Sequence, residues 1–133
     1  MNRTAIALIA IVGSAPAVAD DLAGASQLLC APRIVSHCSS GGDCDSGPPE
    51  LYNFPDFIQV DLVRELLYTT AASGENLSTT VQHVSRVDGT IYLQGVEGGR
   101  AYSMVIVEAT GDLAMTVASE GETGVTFGTC TPD

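Results

Sequence analysis

From residue 57 onward, apolar and polar residues alternate with a period of two, and turn-forming residues break the alternation about every ten positions, the pattern of an antiparallel β-meander. In residues 57–62, Ile58, Val60 and Leu62 fall on one face and Gln59 and Asp61 on the other, so one face is buried and the other wet. Val63-Arg64-Glu65 turns the chain, residues 66–70 return as the second strand of a hairpin, and Ala72-Ser73-Gly74-Glu75-Asn76 has loop composition. A third strand is predicted over 79–87. Asp88-Gly89 is the strongest short-range hairpin signal in the chain, because both central residues of a type I′ turn need positive φ, and it pairs the third strand with 90–96. Glu97-Gly98-Gly99 repeats that logic and leads into 100–108, where Met104-Val105-Ile106-Val107 reads as buried on both faces. Thr110-Gly111-Asp112 turns again, and Leu113, Met115 and Val117 then alternate with Ala114, Thr116 and Ala118. Residues 119–124 read as a loop, and 125–130 form the closing strand.

Before residue 57 the pattern is weaker. Residues 22–29 fit a short helix capped by Asp20 or Asp21, or the lead-in to a strand through Ile34-Val35, and Pro32 marks any strand there as an edge. Residues 39–55, rich in Gly, Ser, Asp and Pro, read as a loop with room for a short ribbon, and Gly47-Pro48-Pro49 excludes helix. The fold class predicted is all-β: a small antiparallel up-and-down meander of about six to eight strands, closing into a barrel or strongly twisted sheet. With no Trp, three Phe and four Tyr, its core must be mainly aliphatic. The 133 residues suit a single domain.

The first 19 residues have a different pattern. A start carrying Arg3 is followed by the apolar run Ala5-Ile6-Ala7-Leu8-Ile9-Ala10-Ile11-Val12 and then by Ala17-Val18-Ala19 ahead of Asp20-Asp21. That is a signal peptide with cleavage predicted after Ala19, leaving 20–133 as one β domain, periplasmic or secreted. The apolar run is shorter than the ~20 residues a bilayer requires, and no membrane insertion is expected after cleavage. In an oxidising compartment the four cysteines pair. Of three possible connectivities, the spacing favours Cys38 with Cys44, across the turn Ser39-Ser40-Gly41-Gly42-Asp43, and Cys30 with Cys130, tying the start of the domain to its last strand.

Charge narrows the function. Sixteen carboxylates against five Arg give −11, and the arginines are scattered singly, which excludes a general nucleic-acid binder. No G-x-S-x-G elbow, H-E-x-x-H, P-loop or Rossmann glycine pattern is present. His37 and His83 are the only candidate bases near neutral pH, for a hydrolase of unrecognised type; His83, beside Val81 and Val84, reads as a half-buried structural residue. Asp43 and Asp45 sit two apart, as at the start of a calcium loop. Gly47 and Phe54 occupy later ligand positions of that motif, so a solvated turn at the disulfide is the plainer reading and no metal is assigned. Glu97, Glu120 and Glu122 form a second candidate acidic patch. Arg100, just past a tight turn with Tyr102 and Ser103 beside it, is read as a salt bridge to Glu97 or Glu108, or as an anion or ligand contact. Asn76-Leu77-Ser78 matches the glycosylation pattern, which has no meaning in a bacterial host.

The segments Asp88-Gly89, Leu93-Gln94-Gly95-Val96-Glu97, Gly99-Arg100-Ala101 and Phe127-Gly128, with Cys130-Thr131-Pro132 at the end, resemble a family of small exported proteins of Gram-negative bacteria that has no assigned function. The resemblance implies a periplasmic or secreted location and contributes no activity or cofactor. Gly95 and Gly128 suit bends or close strand approach. In size, strand content and disulfides the chain is also similar to small periplasmic barrels that inhibit lysozyme, a likeness of architecture and charge alone. The functional expectation is therefore an exported binding or interaction module without catalytic activity or cofactor; its partner is unknown, a basic envelope or host protein such as lysozyme being the candidate. The alternative is a small-ligand carrier with a barrel cavity around Tyr92, Tyr102 and Met104. Arg100, Tyr102, Asp43 and Asp45 are the candidate binding residues.

Overall fold

A computed structural model describes residues 21–70, 73 and 77–133. The expected signal peptide and its cleavage site, the Asn76 sequon and most of the loop at 72–76 lie outside the described residues. Among the described residues ten strands form one antiparallel sheet: β1 (Gln27–Ser39), β2 (Cys44–Gly47), β3 (Ile58–Asp61), β4 (Leu66–Thr69), β5 (Ser78–Thr80), β6 (His83–Val87), β7 (Thr90–Glu97), β8 (Arg100–Val107), β9 (Asp112–Ser119) and β10 (Glu122–Pro132). The order across the sheet is β5-β4-β3-β1-β10-β9-β8-β7-β6, with β2 paired beside β1.

The hairpins from β6 to β10 follow the turn chemistry. Asp88 and Gly89 take φ of 49° and 74°, and Gly98 and Gly99 take 54° and 78°, as a type I′ turn requires. The expected loop at 119–124 is instead a tight turn at Glu120-Gly121, with Ser119 paired to Glu122. Gly121 adopts φ of 80°, so the chain reverses at once and Glu122, Thr123 and Gly124 remain in the ladder. The expected double burial of Met104-Val105-Ile106-Val107 is also corrected. Met104 and Ile106 point inward and are fully buried, whereas Val107 faces outward and is exposed, because the sheet is covered on its inner face only.

The chain departs most from a plain meander at β1. Far from being an edge, β1 runs for 13 residues in the middle of the sheet, between β3 and β10. Pro32 is accommodated by a bulge, with the β1–β10 register slipping between Pro32 and Ile34, where a ladder bond is interrupted in any case. Gly128 lies opposite: a β-carbon there would strike the Ala31 carbonyl, so only glycine permits this close approach. No helix forms at 22–29; those residues lead into β1.

The sheet curls into a half-barrel whose two outermost strands, β5 and β6, are consecutive in the chain. The predicted single strand over 79–87 is split by Val81-Gln82, which crosses from one edge of the sheet to the other. Val81 N donates to Glu65 O (2.8 Å), on the β4 side, and Gln82 N donates to Gln94 O (3.0 Å) on β7. Val81 is buried by this crossing. Inside the curl lie Leu28, Ile58, Val60, Leu67, Ile91, Leu93, Met104, Ile106, Leu113 and Met115, an aliphatic core as the composition requires. One end is covered by residues 22–26: Leu22 N donates to Glu108 O (2.9 Å), Leu62 N donates to Ser26 O (2.9 Å), and the Leu22 side chain is fully buried. The Arg86 guanidinium holds this cover, donating to Leu22 O (3.2 Å) and Ala25 O (3.1 Å) while paired with Glu108.

Two disulfides join Cys30 to Cys130 and Cys38 to Cys44. Each links residues directly opposite on neighbouring strands, β1 with β10 and β1 with β2. The second makes the expected ribbon within 39–55.

Candidate functional site

Among the described residues, nothing covers the end of the half-barrel opposite the Leu22 cover. That end holds a cavity of about 980 Å³, walled by β3, β4, β5, β8, β9 and the 3₁₀ turn Pro49–Tyr52. Its floor is apolar, formed by Ile58, Leu67, Met115 and Val117. Among the described residues, its walls carry Glu50, Asp56, Glu97 and Glu122 with a single cation, Arg100, and three tyrosines, Tyr52, Tyr68 and Tyr102. Carboxylates therefore outnumber cations on this surface.

Tyr102, on β8, lies over Gly95, its cross-strand neighbour on β7. A β-carbon on residue 95 would overlap the phenol, so this glycine is what lets the ring lie against the sheet. The Tyr102 hydroxyl donates to Thr80 O (3.2 Å) and ties β8 to the edge strand β5. Burial, with the Glu97 carboxylate close by, pushes its pKa above that of an ordinary tyrosine, so it remains a neutral donor. Tyr52 is shifted in the same direction, by burial first and then by the charge of Asp45 and a hydrogen bond to that carboxylate.

A second group borders the cavity beside β2. His37 Nε2 lies 3.0 Å from Glu122 Oε2, His37 Nδ1 lies 3.9 Å from Asp45 Oδ1, and the His37 ring sits at a tilt 6.1 Å from that of Tyr52. The hydrogen bond to His37, then that from Ser119, holds the Glu122 carboxyl below the usual range, with the field of Arg100 adding to it. This is a hydrogen-bonded rim of His, Tyr and two carboxylates. Among the described residues no three His, Cys, Asp or Glu side chains converge as a metal-holding group.

Of the residues singled out in the sequence, Arg100 and Tyr102 line the cavity together, and Asp45 reaches its border through Tyr52. Asp43 does not: it is exposed at the tip of the β1–β2 hairpin, its carbonyl accepting from Ser39 N (2.9 Å). Arg100 forms neither expected salt bridge, for Glu108 is taken by Arg86 and Glu97 lies across the turn without an ion pair. Glu97 and Glu122 of the acidic patch do meet in the cavity wall; Glu120 stays outside it. His83 is exposed at the start of β6 opposite Gln94, because the edge position leaves its outer side uncovered. A cavity around Tyr92, Tyr102 and Met104 is not what forms: Met104 is sealed in the core and Tyr92 faces outward on β7. Tyr52, Tyr68 and Glu50 had no signal in the sequence beyond their residue type, since they reach the cavity through a loop and a strand whose relation to β8 is set only by the curl.

No protein-family model matches the chain, and no curated protein or solved structure matches it.

Proposed function

We propose that this protein is an exported, non-catalytic binding module and that the open end of its half-barrel is the binding surface. The observation carrying the reading is the asymmetry of the two ends. One is covered by Leu22 and clamped by Arg86, while the other leaves an acid-walled cavity of about 980 Å³. On its lining Leu77 is 57% exposed, and Leu51 and Phe57, next in sequence to lining residues, are exposed as well, apolar surface of the kind that a protein partner covers better than a small molecule does. The acidic wall and the net charge of −11 favour a basic partner, such as a lysozyme, through steering as well as contact. The family resemblance and the signal-like first 19 residues support an envelope or secreted location.

The reading is tested by passing basic lysozymes and an envelope extract over the immobilised protein at low and at physiological salt. A basic protein retained at low salt should lose affinity by about tenfold or more as screening sets in. Retention indifferent to salt would count against it. A co-purifying small molecule, with no protein retained, would favour the carrier instead.

A further inference from the structure

We infer that the cavity takes the cationic tip of a partner's side chain, an arginine guanidinium or a lysine ammonium on a protruding loop, and that Arg100 is the internal competitor of that cation. The inference rests on the open end being the binding surface and adds the chemistry of what enters it.

Three features point the same way. First, the aromatic residues are distributed unevenly: of the four tyrosines, Tyr52, Tyr68 and Tyr102 line this one cavity, while the closed end is packed with aliphatic side chains. Ring faces attract cations, and the attraction is stronger where water is partly displaced. Burial keeps Tyr52 and Tyr102 protonated, so neither ring loses its hydroxyl donor to ionisation.

Second, the carboxylates differ in availability. Glu122 is engaged by His37 and Ser119, whereas Glu50, Asp56 and Glu97 stand on the wall with no ion pair among the described residues. These three are the free counter-charges. An anionic or neutral ligand would leave them facing it without compensation, whereas a guanidinium can bond a carboxylate through two parallel N–H groups while stacking on a tyrosine.

Third, Arg100 is the single cation on this wall among the described residues, and its field already reaches Glu122. It sits on the β7–β8 side of the mouth, where it shares a smaller pocket with Tyr52, while Asp56 and Tyr68 belong to the opposite side, on the segments around β3 and β4, with Glu50 on the 3₁₀ turn. An incoming cation is drawn to that opposite side and repelled by Arg100. The sign of the Arg100 effect therefore reports the charge of the ligand: removing Arg100 strengthens binding of a cation and weakens binding of an anion.

The test uses the protein produced from its full-length chain under oxidising conditions. Capped Gly-Arg-Gly-Lys-Gly is titrated in by calorimetry and by two-dimensional NMR, alongside versions carrying Gln or Glu in place of both basic residues, and alongside spermidine. The expected result is binding of the basic peptide alone among the three peptides, with shifts at Glu50, Asp56 and Tyr68. Arg100→Gln should tighten it by about two- to fivefold, and Glu50→Gln with Asp56→Asn should weaken it by about five- to tenfold. Tm values of these variants, all exposed-site changes, check that folding is intact. Equal binding of the Gln peptide or preferred binding of the Glu peptide at the same residues would overturn the cation assignment and leave the open end as the binding surface. Shifts confined to other surfaces, or no binding by any probe, would overturn both. Spermidine binding more tightly than the peptide would overturn the protein source in favour of a free polyamine.

Discussion

Among the described residues, Asp61 is the one buried charged side chain. Its side chain is 2% exposed at the end of β3, and its oxygens accept from Val63 N (3.0 Å), Arg64 N (2.8 Å), Arg64 Nε (2.7 Å) and Gln27 Nε2 (3.4 Å). The backbone bond from Arg64, then the guanidinium bond, holds its carboxyl below the usual range. Because the folded-state value is depressed, this contribution to stability is present above the unfolded value of about 4 and is lost as pH falls through the lower, folded value. Asp61→Asn should therefore lower the urea midpoint near pH 7 and flatten its fall below pH 4, as read from denaturation series at stepped pH. A variant with the same acid limb as the parent would show that other carboxylates control acid unfolding. This role was not legible in the alternation, which put Asp61 on the wet face; its burial comes from the turn folding back on it and from Gln27, its cross-strand neighbour on β1. Tyr102 was easier to read, since the Gly95 opposite it could be recognised as a point of close approach.

At the scale of elements, the two disulfides do unequal work although both pin directly paired residues. Cys30–Cys130 closes a sequence separation of 100 and Cys38–Cys44 one of 6. In the chain-entropy account these correspond to about 4.7 and about 2.4 kcal/mol, before any native-state strain. Replacing the first pair by alanines should thus cost about twice as much unfolding free energy in guanidinium as replacing the second. Equal costs would mean that strand pairing already holds β1 to β10 without the bridge. The hairpins from β6 to β10 were legible because Asp88-Gly89 and Gly98-Gly99 specify their turns locally. The position of β1 was not, because Pro32 carries opposite meanings at an edge and at a bulge, and only the partner strand decides between them. The break at Val81-Gln82 was hidden for a similar reason. A continuous β-type run does not reveal that its two halves pair with opposite edges.

For the whole molecule, the candidate site was legible only in part. Arg100, Tyr102 and the pair Glu97 and Glu122 were visible as residue types near tight turns, while Tyr52, Tyr68, Glu50 and Asp56 reach the same cavity only because β1 brings the β3–β5 side round to face β8 and β9. That dependence on a non-local strand has a further consequence. β1, the first strand, has β10, the last, as its neighbour along almost its whole length, from Leu28 opposite Pro132 to Ser39 opposite Glu122. During synthesis the centre of the sheet therefore has no partner on one side until the final strand has emerged, and such long-range pairing is slow to form. If the chain is exported as proposed, this delay would keep it threadable during the crossing, with the β1–β10 pairing and the Cys30–Cys130 bridge closing only afterwards.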